Sequence, residues 1–313
     1  MPGKSARIVI IGAALSLAGA LAACGGGGGG SSGGGGVPAT ATPTPTPTAT
    51  PLVVQGSVRD LGTQRYAGDG GAAGAVITSA TIVVGPTLIV GATPPPTLPS
   101  GDAKATTASD GSYTVTGYTA GSPTYVMVFP AAGDPHVSLH ALAKISGGAI
   151  RTLYLYAPSA TETGELTQIN ADRSSNGAAP VVFDEIGFET ARAHADFMAA
   201  NGYYAHCIPM SNCAPGIGTP PATFAPQYAS PNDLYNYLGG ALQLTPASNS
   251  TENIVANEAS WSAADAWFMA EKGTPNHGHF DQIVFPSHNW VGLGDNQAPK
   301  PPASFGLYLQ EFY

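Results

Sequence analysis

Residues 25–50 set the first limit on how this chain can fold. From Gly25 to Gly36 there is only glycine, broken by Ser31 and Ser32, and from Thr42 to Thr50 threonine alternates with proline around one alanine. A glycine tract has the most backbone entropy to lose and no side chain to bury. A Thr-Pro alternation favours extended polyproline II, whose backbone stays solvated. Neither can contribute to a core. Residues 24–51 therefore read as a tether, flexible first and stiffer after, and everything that packs must come from residues 52–313.

What precedes the tether reads as a targeting segment. Lys4 and Arg7 form a short positive region, and Ile8 to Leu21 is apolar apart from small residues and Ser16. That run is shorter than the ~20 residues a membrane span needs, and it matches the apolar stretch of a signal peptide. Leu21-Ala22-Ala23-Cys24 follows and resembles a bacterial lipobox. The resemblance implies removal of residues 1–23, a lipid on Cys24 as the membrane partner, and a lipid-anchored place in the cell envelope, on its periplasmic face or at the cell surface. The alternative is ordinary cleavage near Ala23, which leaves Cys24 a free thiol.

The formal net charge is −9. No basic stripe exists to neutralise phosphates, so a nucleic-acid partner is excluded. Charge is also uneven along the chain. Residues 52–158 balance five acids with five bases, whereas residues 159–313 hold fifteen acids and four bases. The asymmetry predicts two folded units, 52–158 and 159–313.

The first unit reads as all-β. Val53 to Val58, Ala75 to Ile77, Thr81 to Val84, Tyr113 to Val115, Tyr125 to Phe129 and Arg151 to Tyr156 are short β-branched or aromatic runs between Gly, Pro, Asp and Ser clusters. Asp110-Gly111 is a hairpin signal. Gly56-Ser57-Val58 and the segment Thr107 to Val115 resemble a carboxypeptidase-regulatory-like (transthyretin-like) β-sandwich. That resemblance implies a spacer or contact module, with the Pro94-Pro95-Pro96 loop as an insertion. His136 and His140, at the end of this unit, read as surface or loop histidines rather than metal ligands.

From Glu162 the period changes to helical. Leu166 and Ile169 mark one short face, with Thr161 or Thr163 as caps. A longer helix follows Asp184-Glu185, with Ile186, Thr190, Ala191, His194, Phe197 and Met198 turned inward and Gly202 as its stop. His194 there reads as a satisfied core histidine. A weaker helix is expected from Tyr235 to Leu244 and another from Ala263 to Lys272. Ile283 to Phe285, Trp290 to Gly294 and Leu307 to Phe312 read as strands, flanked by exposed His277 and His288.

An ordered series of motifs runs through this half: Val182-Phe183-Asp184-Glu185, Gly202-Tyr203-Tyr204-Ala205-His206, Thr251-Glu252-Asn253-Ile254, Ala266-Trp267 with Glu271-Lys272, Gly278-His279-Phe280-Asp281, and Val291-Gly292-Leu293-Gly294. In that order they resemble the CAP superfamily of SCP-like extracellular proteins, which includes cysteine-rich secretory, antigen 5 and pathogenesis-related proteins. The resemblance implies an α+β fold in which an α-β-α sandwich follows the β-sandwich. It also implies a groove tetrad of His206, Glu252, Glu271 and His279. Two imidazoles and two carboxylates suit a divalent cation such as Zn²⁺, or equally a hydrogen-bonded cluster that orders the groove. The chain departs from the family pattern at Thr251, at Asp281, at Phe285 and in the four-residue step from Trp267 to Glu271. Cys207 and Cys213, six apart in an oxidising compartment, point to a small-loop disulfide, with a metal-ligating pair as the alternative.

Three functions remain open. The groove is a binding module for a cation or a small lipid- or peptide-like ligand, a metal-dependent hydrolase, or part of a structural or adhesion module facing a surface partner. No Gly-x-Ser-x-Gly elbow, His-Glu-x-x-His helix or phosphate loop occurs in the sequence, so nothing beyond the His/Glu set indicates catalysis.

Overall fold

The computed structural model describes residues 53–67, 69–119, 123–143, 152–206, 217–218, 244–246, 251–299, 303 and 306–313. The segments expected to be a signal peptide and a tether, with Cys24, Cys207 and Cys213, lie outside them. So does the helix expected from Tyr235, up to Leu244.

Seven strands come first: β1 (Val53–Asp60), β2 (Thr81–Gly85), β3 (Ala103–Thr106), β4 (Ser112–Thr116), β5 (Tyr125–Phe129), β6 (Leu139–Ala143) and β7 (Leu153–Leu155). β1 pairs antiparallel with β4 and parallel with β7. The second sheet runs β6-β5-β2-β3 and is antiparallel throughout. Leu244–Pro246 from the other half of the sequence extends it on the β6 edge. The two-residue period decides what is buried. Val54, Val58, Ile82, Val84, Val115, Val126, Val128, Leu139 and Leu155 share one core. Val83 and Met127 face the other way, where Ile89 and Leu98 of the proline-rich loop cover them. At the β3–β4 turn, Asp110 accepts a 2.9 Å bond from the Ser112 amide, and Gly111 adopts φ +77. Of the run expected from Ala75 to Ile77, only Val76 pairs, in a single bridge to Arg59.

The second half layers helices on both faces of one sheet. Its elements are α1 (Ala160–Ser175), β8 (Val182–Phe183), α2 (Glu185–Asn201), β9 (Tyr203–Tyr204), β10 (Ile217–Gly218), β11 (the Leu244–Pro246 strand), β12 (Thr251–Ala256), α3 (Trp261–Met269), α4 (Gly278–Val284), β13 (Trp290–Asn296) and β14 (Leu307–Phe312). The sheet order is β12-β14-β13-β8. Ala191, Ala195 and Met198 of α2 pack on Leu307, Leu309 and Ile254. Ile169, Phe268 and Ile283 of α1, α3 and α4 pack on Val255, Val291 and Phe312 from the opposite side. This is the expected α+β architecture, an α-β-α sandwich joined to a β-rich region.

Local chemistry sets the helix ends. Ser159, not Thr161 or Thr163, caps α1. It sits in extended backbone and exchanges bonds with Glu162 in a capping box, while both threonines are already inside the helix. Asp184 caps α2, and Gly202, at φ 64, closes it. Glycine also fixes how closely α2 lies on the sheet. A Cβ on Gly292 would come within 1.9 Å of the Gly187 carbonyl carbon, and one on Gly294 within 2.2 Å of Ala191. The Val-Gly-Leu-Gly motif thus lets helix backbone rest on strand backbone.

Three expectations are corrected. Ile283 to Phe285 is not a strand: α4 occupies 278–284, with Ile283 fully buried in the core and Val284 partly buried against it. A three-residue apolar run cannot separate the two periods. His288 is buried, bonded through Nδ1 to the Gln282 carbonyl at 2.9 Å and stacked on Phe312. His140 is fully buried on β6, where its Nδ1 lies 2.6 Å from Asp184.

His140 lies in the seam between the two halves. Ile186, Trp290 and Tyr313 enter the same core as the β1–β7 residues. The Glu185 amide donates to the Ser138 carbonyl at 2.9 Å. Residues 51–313 pack as one unit.

Candidate functional site

Glu252 is the second residue of β12, an edge strand. Alternation sends Glu252, Ile254 and Ala256 towards α2, and Asn253 and Val255 towards the other helical layer. On the α2 side, Glu252 Oε1 lies 2.6 Å from His194 Nδ1 and Oε2 lies 3.1 Å from His206 Nδ1. His206 arrives through the Gly202 turn and β9. Its side chain is 47% exposed.

His279, the second residue of α4, meets Glu271 twice: Nδ1 to Oε1 at 2.9 Å, and its amide donating to Oε2 at 2.9 Å. Glu271 can reach it because α3 ends at Met269 and the chain turns there, with the Thr274 amide bonded to the Glu271 carbonyl. The extra residue between Trp267 and Glu271 therefore does not displace the carboxylate. The His206 and His279 rings lie 5.9 Å apart, so the four expected residues converge as two His–Glu pairs. Trp267 sits edge-on to His279 at 5.2 Å and is 44% exposed, and Phe268 lies 5.1 Å away on the buried side. Asp281 does not join them. It pairs at 2.6 Å with His277, on the exposed surface.

Burial alone would raise the Glu252 carboxyl, but the charges and hydrogen bonds of His194 and His206 outweigh it and bring the group down to about 2. It is an anion at neutral pH. Burial pushes His279 down, against the opposing pull of Glu271, so its ring is neutral there. A carboxylate at Nδ1 selects the tautomer with its proton on that nitrogen and leaves Nε2 as the ring's lone pair. Both groove histidines have this arrangement, the usual outer support of a metal-ligating imidazole.

Sequence reasoning missed two members. His194 is a buried, hydrogen-bonded histidine as expected, but its partner is the groove carboxylate. Glu311 stands directly opposite Glu252 in the β12–β14 register and is fully buried. Its signal was an acid inside the apolar run Leu-Tyr-Leu-Gln-Glu-Phe. A polar ladder was also missed: Asn253 Nδ2 donates to the His279 carbonyl and to Gln310, and Gln310 donates to Glu165, all at 3.0–3.1 Å. It ties the His279 backbone to β12, β14 and α1.

A separate cleft of about 500 Å³ lies between Gln64 and Arg65 of the β-rich region and Tyr156, Glu162, Arg192 and Trp261. It contains none of the tetrad. Its arginines are already engaged, Arg65 with Asp196 at 2.7 Å and Arg192 with Glu162 at 2.6 Å.

Residues 166–308 match the family model described as CAP, the cysteine-rich secretory protein family. No curated protein matches the chain. Among solved structures, an outer surface protein from Borrelia burgdorferi aligns at 10% identity with TM-score 0.33, covering 49% of this chain and 90% of that one. An extracellular protein containing a SCP domain from Bacillus anthracis str. Ames aligns at 13% identity with TM-score 0.33, covering 68% of this chain and 81% of that one.

Proposed function

We propose that this chain, whose residues 166–308 form a CAP domain, is an envelope-anchored binding protein whose groove holds a divalent cation beside a small lipid- or peptide-like ligand. One observation carries the reading. His206 and His279 stand with rings 5.9 Å apart, each with Nδ1 on a carboxylate. Their Nε2 lone pairs would be the protein ligands, Glu252 and Glu271 would orient them, and water or the ligand would fill the remaining positions. A cation held there supplies Lewis acidity. The carboxylates fix the two rings, and burial keeps His279 neutral. The exposed face of Trp267 beside His279 offers apolar contact to the non-polar part of the ligand.

Placement at the envelope rests on the signal-peptide pattern and on Cys24. Among the described residues no helix is long and apolar enough to cross a membrane, so a lipid on Cys24 is the attachment this reading uses. The β-rich region, with its carboxypeptidase-regulatory-like turns, acts as a spacer between tether and groove.

Calorimetric titration of the metal-stripped full chain with Zn²⁺ tests the reading. Stoichiometric binding is expected, and a His206→Ala/His279→Ala variant should lose one equivalent. Undiminished binding in that variant would move the cation elsewhere.

A further inference from the structure

Beneath the groove, β12 and β14 set Glu252 opposite Glu311, with exposures of 6% and 0%. Like charges directly opposite across a strand pair repel, and removal from water strengthens the repulsion and adds a desolvation cost for each ion. Both Glu252 oxygens are taken, one by His194 and one by His206. Neither Glu311 oxygen meets a donor among the described residues, and neither does His194 Nε2. The site therefore contains a buried carboxylate with unused acceptor capacity, a second carboxylate facing it, and an imidazole from α2 above them. One ligand atom each from His194, Glu252 and Glu311 lies within 4.8 Å of the others. The missing component is positive charge.

We infer that His194, Glu252 and Glu311 form a second, buried divalent-cation position, joined to the groove position through Glu252. One imidazole and two carboxylates are a ligand set that Zn²⁺ accepts, and the cation balances both buried charges. Oε1 of Glu252 would serve the inner position, while Oε2 holds Nδ1 of His206, whose Nε2 would serve the outer one, so this carboxylate links the two. His206, half in solvent, covers the outer oxygen and marks the side from which an ion enters. The inference deepens the cation reading of the groove, shares only Glu252 with it, and has its own test.

The test is Zn²⁺ titration of the full chain after chelation, with bound metal counted by atomic emission. About two equivalents are expected in the wild type, as in two-metal sites. The near-isosteric Glu311→Gln should remove the inner equivalent and leave the outer one. His194→Gln, which retains a hydrogen-bonding side chain towards Glu252, should do the same, and it decides the matter if Glu311→Gln does not fold. His206→Ala/His279→Ala should retain the inner equivalent. If the Glu311 and His194 variants bind as much metal as the wild type, the inner position is overturned, and the two buried acids share a proton instead. That result leaves the groove reading intact. If only the groove double variant binds undiminished, the groove reading fails and the inner position stands.

Discussion

Two buried His–carboxylate pairs have the same 2.6 Å separation, and they differ in nearly everything else. In the seam, His140 of β6 meets Asp184. Asp184 Oδ1 also accepts from the Tyr313 hydroxyl and from the Ile186 amide that it caps. His140 Nε2 has no partner among the described residues, but Phe129 and Trp290 wall it in at 5.3 and 4.8 Å. In the groove, His194 meets Glu252 at the same distance, yet Glu252 is shared with a half-exposed His206 and faces an acid with no donor. Pair distance therefore does not mark a functional site. On the proposed reading, unused bonding capacity next to an opening does. The seam uses its charge to fix one half of the protein to the other, whereas the groove keeps charge available.

The strongest way to break this contrast is Asp184→Ala. It removes the α2 cap, worth about 1 kcal/mol. It also strands the buried His140 nitrogen, at roughly 1–3 kcal/mol. A loss of about 3 kcal/mol in unfolding free energy by urea denaturation is expected from these terms, with metal uptake unchanged in the folded fraction. A loss below about 1 kcal/mol, the range of ordinary surface changes, would mean that the seam pair does not hold the halves together.

The sequence made the groove legible and left the seam hidden. His206, Glu252, Glu271 and His279 could be placed because each sits in a short motif in a known order. Their spacing tolerated the shift at Glu271 because a turn absorbs one residue. His140 and His288 were misread as exposed because neither belongs to a motif. Each is buried by a contact more than twenty residues away in sequence, Asp184 for one and Phe312 for the other. Glu311 was visible as an oddity but not as a partner, since cross-strand register follows from the assembled sheet. The helix over Ile283 was lost for a related reason: one inward residue per turn shows no period in so short a segment.

A second acidic pair, on the face opposite α2, refines the comparison. Burial first, and the nearby Asp265 second, raise Glu165 to about 8, while Gln310 pulls the other way. Burial and the Asp172 charge raise Asp265 to about 7. A folded carboxyl that holds its proton above its unfolded value of 4.5 stabilises the protein fully below that pH. The contribution is lost as pH rises through the folded value. Unfolding free energy should thus fall between about pH 5 and pH 8. Glu165→Gln keeps an amide oxygen for the Gln310 donor but cannot ionise, so it should match the wild type at about pH 5 and exceed it at about pH 8 by on the order of 2 kcal/mol. Parallel pH profiles for the two proteins would show that Glu165 is not the group responsible. This pair, like the seam, acts on stability.

The smallest effect belongs to the groove's open side, and it sharpens the contrast most. His206 is half in solvent while the Glu252 side chain is fully buried, so without the ring water can enter and hydrogen-bond Oε2, offsetting much of the lost contact. His206→Ala should lower the unfolding free energy of the metal-free protein by only about 1 kcal/mol, the net worth of one hydrogen bond. The same variant should lose much of the stabilisation that Zn²⁺ gives the wild type, which for one site is about 2.7 kcal/mol at a hundredfold excess over Kd. Thermal unfolding with and without the ion separates the two quantities. A metal-free loss near that of Asp184→Ala would move His206 into the class of seam residues. A small loss together with reduced zinc stabilisation would mean that the groove gives up stability in exchange for an open coordination position, the property that the seam pair, at the same distance, does not have.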